Sequence, residues 1–283
     1  MFLSVVLLLL TQSMSLAGEP TPIIAESAND YYGSLSERES DLRSELHYTL
    51  SAYHISQENG PDIKVDRCEL KDNPRCYRHK ALSYSQARQE LFGHLYLQSS
   101  KSGYSILTAY CQNRLTNDDF PGKDGLGPMK IPSHQVVNAE HVWPQSRFTG
   151  KFPKNLQKGD LHHLLPVTSR VNSQRGNHPF GEIDSPISEV CGKAYLGNNG
   201  NSKATQFEPA DEVKGDVARA TFYFALRYEM KIDDLQESYL RSWHQMDPVD
   251  FDEARRHEEI YQIQYVRNPF IDHPELIDEI PNF

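Results

Sequence analysis

Leu42, Leu46 and Leu50 recur at helical intervals behind Ser36-Glu37-Arg38-Glu39, a tetrad with capping-box spacing, and predict an amphipathic helix. Ala87, Leu91 and Leu95 predict a second. The period then changes: Tyr104 to Cys111 and Val136 to Trp143, rich in β-branched and aromatic residues, read as strands. Between them residues 121 to 133, with Gly, Pro and Lys, read as a long surface loop. The helical period returns in the last third, where Val213, Val217, Ala220, Phe224 and Tyr228 form one apolar stripe. Asp247-Pro248 predicts an N-cap and a proline at N1 for a helix carrying Phe251, Ala254, Ile260 and Ile263. Stripes of this kind are core. No repeat, low-complexity tract or linker divides the chain, so a single domain is expected.

The N-terminus stands apart. Phe2 to Leu10 is apolar except for Ser4, and Ser15-Leu16-Ala17 offers the small residues a signal peptidase reads. Such a run is about half the roughly twenty residues a membrane-spanning helix needs. Residues 1–17 therefore read as a cleaved export signal, 18–34 as a flexible polar leader, and 35–283 as the folded domain. Export to an oxidising space makes Cys68, Cys76, Cys111 and Cys191 candidates for two disulfides. Three pairings are possible; the favoured one joins Cys68 to Cys76 around a short loop and Cys111 to Cys191 across distant segments. A zinc site is disfavoured because no C-x-x-C spacing occurs.

Charge narrows the partners. The 283 residues carry a formal charge of −10, which excludes a polybasic coat for nucleic acid but not an enzyme acting on it. Charge is segregated: from Lys123 to His178 eight Lys or Arg face three Asp or Glu, a net of +5, leaving −15 elsewhere.

That basic segment also concentrates chemistry. Glu140-His141 ends a predicted strand, Asp160-Leu161-His162-His163 follows about twenty residues on, and Val171-Asn172-Ser173-Gln174-Arg175-Gly176 comes next. Adjacent strand residues point to opposite faces, so Glu140 and His141 would approach one centre from different sides at a twisted or bulged strand end. A carboxylate suits a hard cation such as Mg²⁺, and a neutral imidazole suits deprotonation of water. Thr168 is placed to cap a short helix on which Asn172 and Arg175, three apart, share a face, with Gly176 ending it. Asp160, His162 and His163 read equally as groups orienting the ligands or as core braces. Trp143 and Phe148 read as packing, Asp272-His273 as a rigid turn, and Lys214 to Arg219 as a helix entry with structural ion pairs.

In this order, the blocks resemble the bacterial endonuclease I family of secreted or periplasmic nucleases. The likeness runs through Tyr31-Tyr32, Glu140-His141, Asp160 to Pro166, Asn172 to Asn177, Lys214 to Arg219, and Arg267 to Pro274. It implies a mainly helical α+β domain around a ββα-metal active site, with His141 as general base and one Mg²⁺ on Glu140 and Asn172. It also implies an arginine on the cleaved phosphate, for which Arg175 is the first candidate and Arg147 the second. Lys151 and Lys154 are further phosphate-binding candidates. The implied activity is Mg²⁺-dependent, sequence-nonspecific endonucleolytic hydrolysis of DNA to 5′-phosphate products, by a monomer free of membrane. RNA remains an open alternative substrate, as does release from the cell against retention in the periplasm. A zinc hydrolase using several of His141, His162, His163 and His178, and a binding module that holds DNA without cutting it, are the rival classes.

Overall fold

The computed structural model describes residues 22–35, 39–69, 73–200, 202 and 204–283. The signal at 1–17 and the capping residues Ser36 to Arg38 lie outside them. Residues 22–34 are not a loose leader. Helix α1 (Ala28–Tyr32) is capped by Ser27, whose hydroxyl accepts the Asp30 N–H at 3.1 Å. Tyr31 and Tyr32 are buried, and the Tyr32 hydroxyl donates to Asp272 at 2.9 Å, 240 residues away. Aromatic burial of about 1.5–3 kcal/mol per ring outweighs the polar composition around it.

Helix α2 (Glu39–Ser51) buries Leu42, Leu46 and Leu50, the predicted stripe. Three short strands, β1 (Tyr53–Ile55), β2 (Ile63–Val65) and β3 (Cys76–Tyr77), form a sheet clasped by the Cys68–Cys76 disulfide. Helix α3 (Tyr84–Glu90), with a Ser83/Gln86 capping box, runs on into a π turn over Leu91–Leu95. There Gly93 is obligatory, because a Cβ would meet the Met129 backbone nitrogen at 2.4 Å. The meander β4 (Gln98–Ser100), β5 (Gly103–Leu107) and β6 (Arg114–Thr116) follows. Strand β5 stops short of the predicted Cys111, which is turned aside into its disulfide with Cys191.

The centre of the domain is an antiparallel pair, β7 (Val137–His141) and β8 (Leu164–Thr168), joined through a short helix α4 (Lys154–Lys158). Both faces of the pair are buried. Val137, Ala139 and Leu164 enter one apolar cluster, while Leu165 and Val167 enter the other. A one-residue slip would exchange these sets, so the register Glu140 opposite Leu165 and His141 opposite Leu164 is strongly specified. Helix α5 (Ser169–Arg175) follows directly, after Thr168 and before Gly176 at φ 55°, as predicted, although Thr168 makes no side-chain capping bond. A third three-stranded sheet, β9 (Ser185–Cys191), β10 (Ala194–Asn198) and β11 (Gln206–Glu208), precedes the helical third.

Helix α6 (Lys214–Arg227) is buried all round except at Asp216. Its apolar stripe is core, and two of its cations are paired: Lys214 reaches Glu208 at 2.6 Å, and Arg219 forks onto Glu253 at 2.8 and 2.6 Å. Around it pack α7 (Asp234–Met246), α8 (Phe251–Gln264), α9 (Pro269–Asp272) and α10 (Leu276–Glu279). Helix α8 begins later than Asp247-Pro248 predicts. Asp250 is its N-cap, accepting the Glu253 N–H at 2.7 Å, whereas the Asp247 carboxylate is taken by the Gly215 N–H at 2.8 Å. The Asp272 turn is rigid as expected, gripped by Arg267 at 2.8 and 2.7 Å.

Candidate active site

Two antiparallel strands and the helix that follows them converge on Glu140 and His141. Both side chains are more than nine-tenths buried. On one side, Glu140 Oε1 accepts from the Tyr110 hydroxyl at 3.0 Å and pairs with Arg175 Nη1 at 2.9 Å. Burial raises the Glu140 pKa, and the Arg175 charge and Tyr110 hydroxyl only partly offset it. Tyr110 is held there by two restraints. Ala109 donates to the Pro166 carbonyl on β8 at 2.8 Å, and the neighbouring Cys111 is bonded to Cys191.

On the other side, His141 Nε2 donates to the Lys158 carbonyl at 3.1 Å, at the end of α4. That bond assigns the tautomer: Nδ1 is left without a proton, facing the Gln145 amide at 3.2 Å. Burial first, and the neighbouring His163 second, push the His141 pKa down to about 3, so the ring is neutral over the physiological range. Gly159 makes the α4 turn possible, since a Cβ would lie 2.3 Å from the Leu82 carbonyl.

Arg175 departs from its expected role. Its guanidinium donates to the carbonyls of His141 at 3.1 Å and Val142 at 2.6 Å, pairs with Glu140, and lies 4.4 Å over the Phe180 ring. With 2% exposure it is a brace between α5 and β7, not a free phosphate fork. Asn172, one turn earlier on α5, is half-buried, and its side chain makes no hydrogen bond among the described residues. Arg147 is exposed, donates to the Asn177 carbonyl at 2.7 Å, and shares a cavity of about 370 Å³ with Arg175 and His178. Burial and then the Arg175 charge lower its pKa. Lys151 is exposed but pairs with Glu229 at 2.6 Å; Lys154 is exposed at the start of α4.

Asp160, His162 and His163 divide. The His163 ring stands 5.2 Å from that of His141 and donates to the Gln157 carbonyl at 2.8 Å. Asp160 accepts the hydroxyls of Tyr223 at 2.9 Å and Tyr228 at 2.7 Å, and His162 bonds the Val266 carbonyl at 3.0 Å. Among the described residues neither of the latter two makes a hydrogen bond to Glu140, His141 or Asn172. Trp143 and Phe148 stack on Phe224 as core packing.

The zinc reading finds no ligand set: among the described residues His141, His162, His163 and His178 do not form a group whose ligand atoms lie close enough to share an ion. The triple His257, Glu258 and Asp272 lies close enough to share a cation, but the Arg267 guanidinium already bonds both of its carboxylates. By contrast, Glu140 and Asn172 are the hard oxygen donors that suit Mg²⁺.

Tyr110, Gln145 and the Lys158 carbonyl were not legible in advance. Only Gln145, four residues beyond His141 in the same block, carried a signal of proximity.

The model of the family described as Endonuclease I matches residues 67–275. The chain belongs to the Endonuclease I family. Among curated members, an extracellular ribonuclease of Bacillus amyloliquefaciens is 43% identical over 162 residues, covering 50% of this chain and 53% of that protein. A periplasmic deoxyribonuclease of Aeromonas hydrophila is 29% identical over 145 residues, covering 50% of this chain and 60% of that protein. An extracellular deoxyribonuclease of the same organism is 29% identical over 162 residues, covering 54% and 70%. The chain thus spans about half the length of the first two of these relatives.

Proposed function

We propose that this chain is an exported, Mg²⁺-dependent, sequence-nonspecific endonuclease, and that β7, β8 and α5 are its ββα-metal active site. The observation that carries the reading is the His141 tautomer: Nε2 is tied to the Lys158 carbonyl, leaving Nδ1 unprotonated and facing Gln145, on the strand end that also carries the buried Glu140. Glu140 and Asn172 would hold one Mg²⁺, which when bound supplies polarisation of a phosphoryl oxygen and neutralises the charge on the departing 3′-oxygen.

The protein's own groups account for the remainder. His141 Nδ1 takes a proton from water, whose oxygen attacks phosphorus in line with the P–O3′ bond. That bond breaks, the 3′-oxygen takes a proton from solvent water, His141 returns its own to solvent, and the products carry 5′-phosphate and 3′-hydroxyl. Arg147, exposed and near Arg175, shares the charge developing on the phosphate. Arg175 positions Glu140 and the strand end.

The substrate is nucleic acid held by its phosphates. RNA belongs beside DNA in this proposal, because the relative named a ribonuclease shares 43% identity against 29% for those named deoxyribonucleases. Export is supported by the N-terminal apolar segment and by the extracellular or periplasmic names of the relatives. Among the described residues no helix is long and apolar enough to cross a membrane.

Plasmid DNA and ribosomal RNA, each incubated with Mg²⁺ and then with EDTA, test the reading. Cleavage of either substrate with Mg²⁺ and none with EDTA is expected, and His141→Ala should lower the rate about 10²–10⁴-fold with the fold intact. Near-normal cleavage by that variant would reject the mechanism.

A further inference from the structure

A second cavity, of about 690 Å³, opens between the β1–β3 sheet, α4 and the end of α6. Its volume falls in the range of small-molecule sites and far exceeds that of a phosphate alone. Arg78, Lys80 and Arg227 line it together with His79, Tyr77 and Tyr265, and among the described residues no carboxylate does. Among the described residues none of the three cations forms an ion pair.

Arg227 is the telling member. It is 5% exposed, Nη1 donates to the Ser51 hydroxyl at 3.0 Å, and Nε has no hydrogen-bond partner among the described residues. An unpaired buried guanidinium is costly unless an anion meets it. His79, 8% exposed, adds a second unmet polar atom, its Nδ1, which has no hydrogen-bond partner among the described residues. The exposed cations lie over aromatic rings, Arg78 4.6 Å from the Tyr53 centroid and Lys80 5.6 Å from that of Tyr265.

We propose that this cavity is a nucleotide-binding site separate from the hydrolytic centre. Arg227, Arg78 and Lys80 hold the phosphate, and the Tyr265 and Leu156 walls take the base and sugar. Helix α4 serves both places, giving Asn155 and Leu156 to the cavity and the Lys158 carbonyl to His141. The assignment rests on the cavity's charge and size and does not require the nuclease reading.

The test is calorimetric titration of the full chain with adenosine 5′-monophosphate, adenosine and inorganic phosphate, each with Mg²⁺ and with EDTA. One monophosphate per chain should bind with the same affinity in both buffers, and adenosine at least tenfold more weakly. The double variant Arg78→Ala/Lys80→Ala, at exposed positions, should weaken the monophosphate at least tenfold with its urea midpoint and Mg²⁺-dependent hydrolysis unchanged. Inorganic phosphate binding as tightly as the monophosphate would overturn the nucleotide class. Binding that needs Mg²⁺ and survives the double variant would overturn the site. So would binding that emerges only in Glu19→Gln, three residues before the lining Pro22, because the anion would then be the chain's own.

Discussion

Arg175→Met separates a brace from a phosphate contact. The substitution keeps the length of the side chain and its contact with Phe180, but removes every donor. It strands the Glu140 carboxylate and the carbonyls of His141 and Val142, which Arg175 meets at 2.9, 3.1 and 2.6 Å. Because both charged partners are almost fully buried, solvent cannot replace the lost interaction. Breaking a buried pair from one side costs about 3–5 kcal/mol. Urea unfolding followed by circular dichroism reads that loss directly. Arg147→Ala supplies the opposite case: at an exposed position its stability change should stay within about 0.5 kcal/mol, while hydrolysis falls about 10²-fold, mainly in kcat. An Arg175→Met protein as stable as the parent, with only hydrolysis lost, would refute the brace and return the phosphate to Arg175.

Tyr110→Phe should cost about 1.5–3 kcal/mol, the worth of a hydrogen bond to a charged acceptor, and raise the Mg²⁺ concentration needed for half-maximal cleavage; an unchanged Mg²⁺ requirement would detach Tyr110 from the site. Removing Cys111–Cys191, which closes 80 residues, should cost about 4–5 kcal/mol, against about 2–3 kcal/mol for Cys68–Cys76, which closes 8. Of the two, only the longer should also slow cleavage, since it holds the segment bearing Tyr110. Burial pushes His79 down to about 3 and His162 and His163 to about 4. All three are depressed below the unfolded value of about 6.5, so the unfolded chain binds more protons. Their stability contribution is complete above about pH 6.5 and declines as pH falls towards about 4; a urea midpoint flat from pH 7 to 5 would contradict it.

What was legible and what was not divides along the range of the interaction. Helix periods at Leu42–Leu50 and Val213–Tyr228, and the short helix after Thr168, depend on neighbours a few residues away, and their elements stand where the pattern put them. The Glu140–His141 strand was visible because the β-branched and aromatic residues around it, Val136, Val137, Val142 and Trp143, favour extended backbone. Asp247 and Asp250 are both plausible caps, and a distant N–H, that of Gly215, decides between them. Helix-face reasoning placed Arg175 beside Asn172 but could not see that the strand's carbonyls, over thirty residues earlier, would claim its donors. The Tyr31-Tyr32 pair was recognised as a block, yet its polar surroundings concealed that it is core.

Helix α6 sets a schedule for the molecule. Phe224 lies against His163, at 4.3 Å between ring centroids, beneath the His141 strand, whereas Phe222 meets Phe270 and Phe283 at 6.1 and 4.4 Å. Tyr32, near the other end of the chain, waits for Asp272. The cover of the central helix is thus drawn from segments far apart in sequence, and α6 is enclosed only when both have docked. Enclosure of α6 is therefore a late, long-range event in folding, and the layer beneath the His141 strand is completed with it.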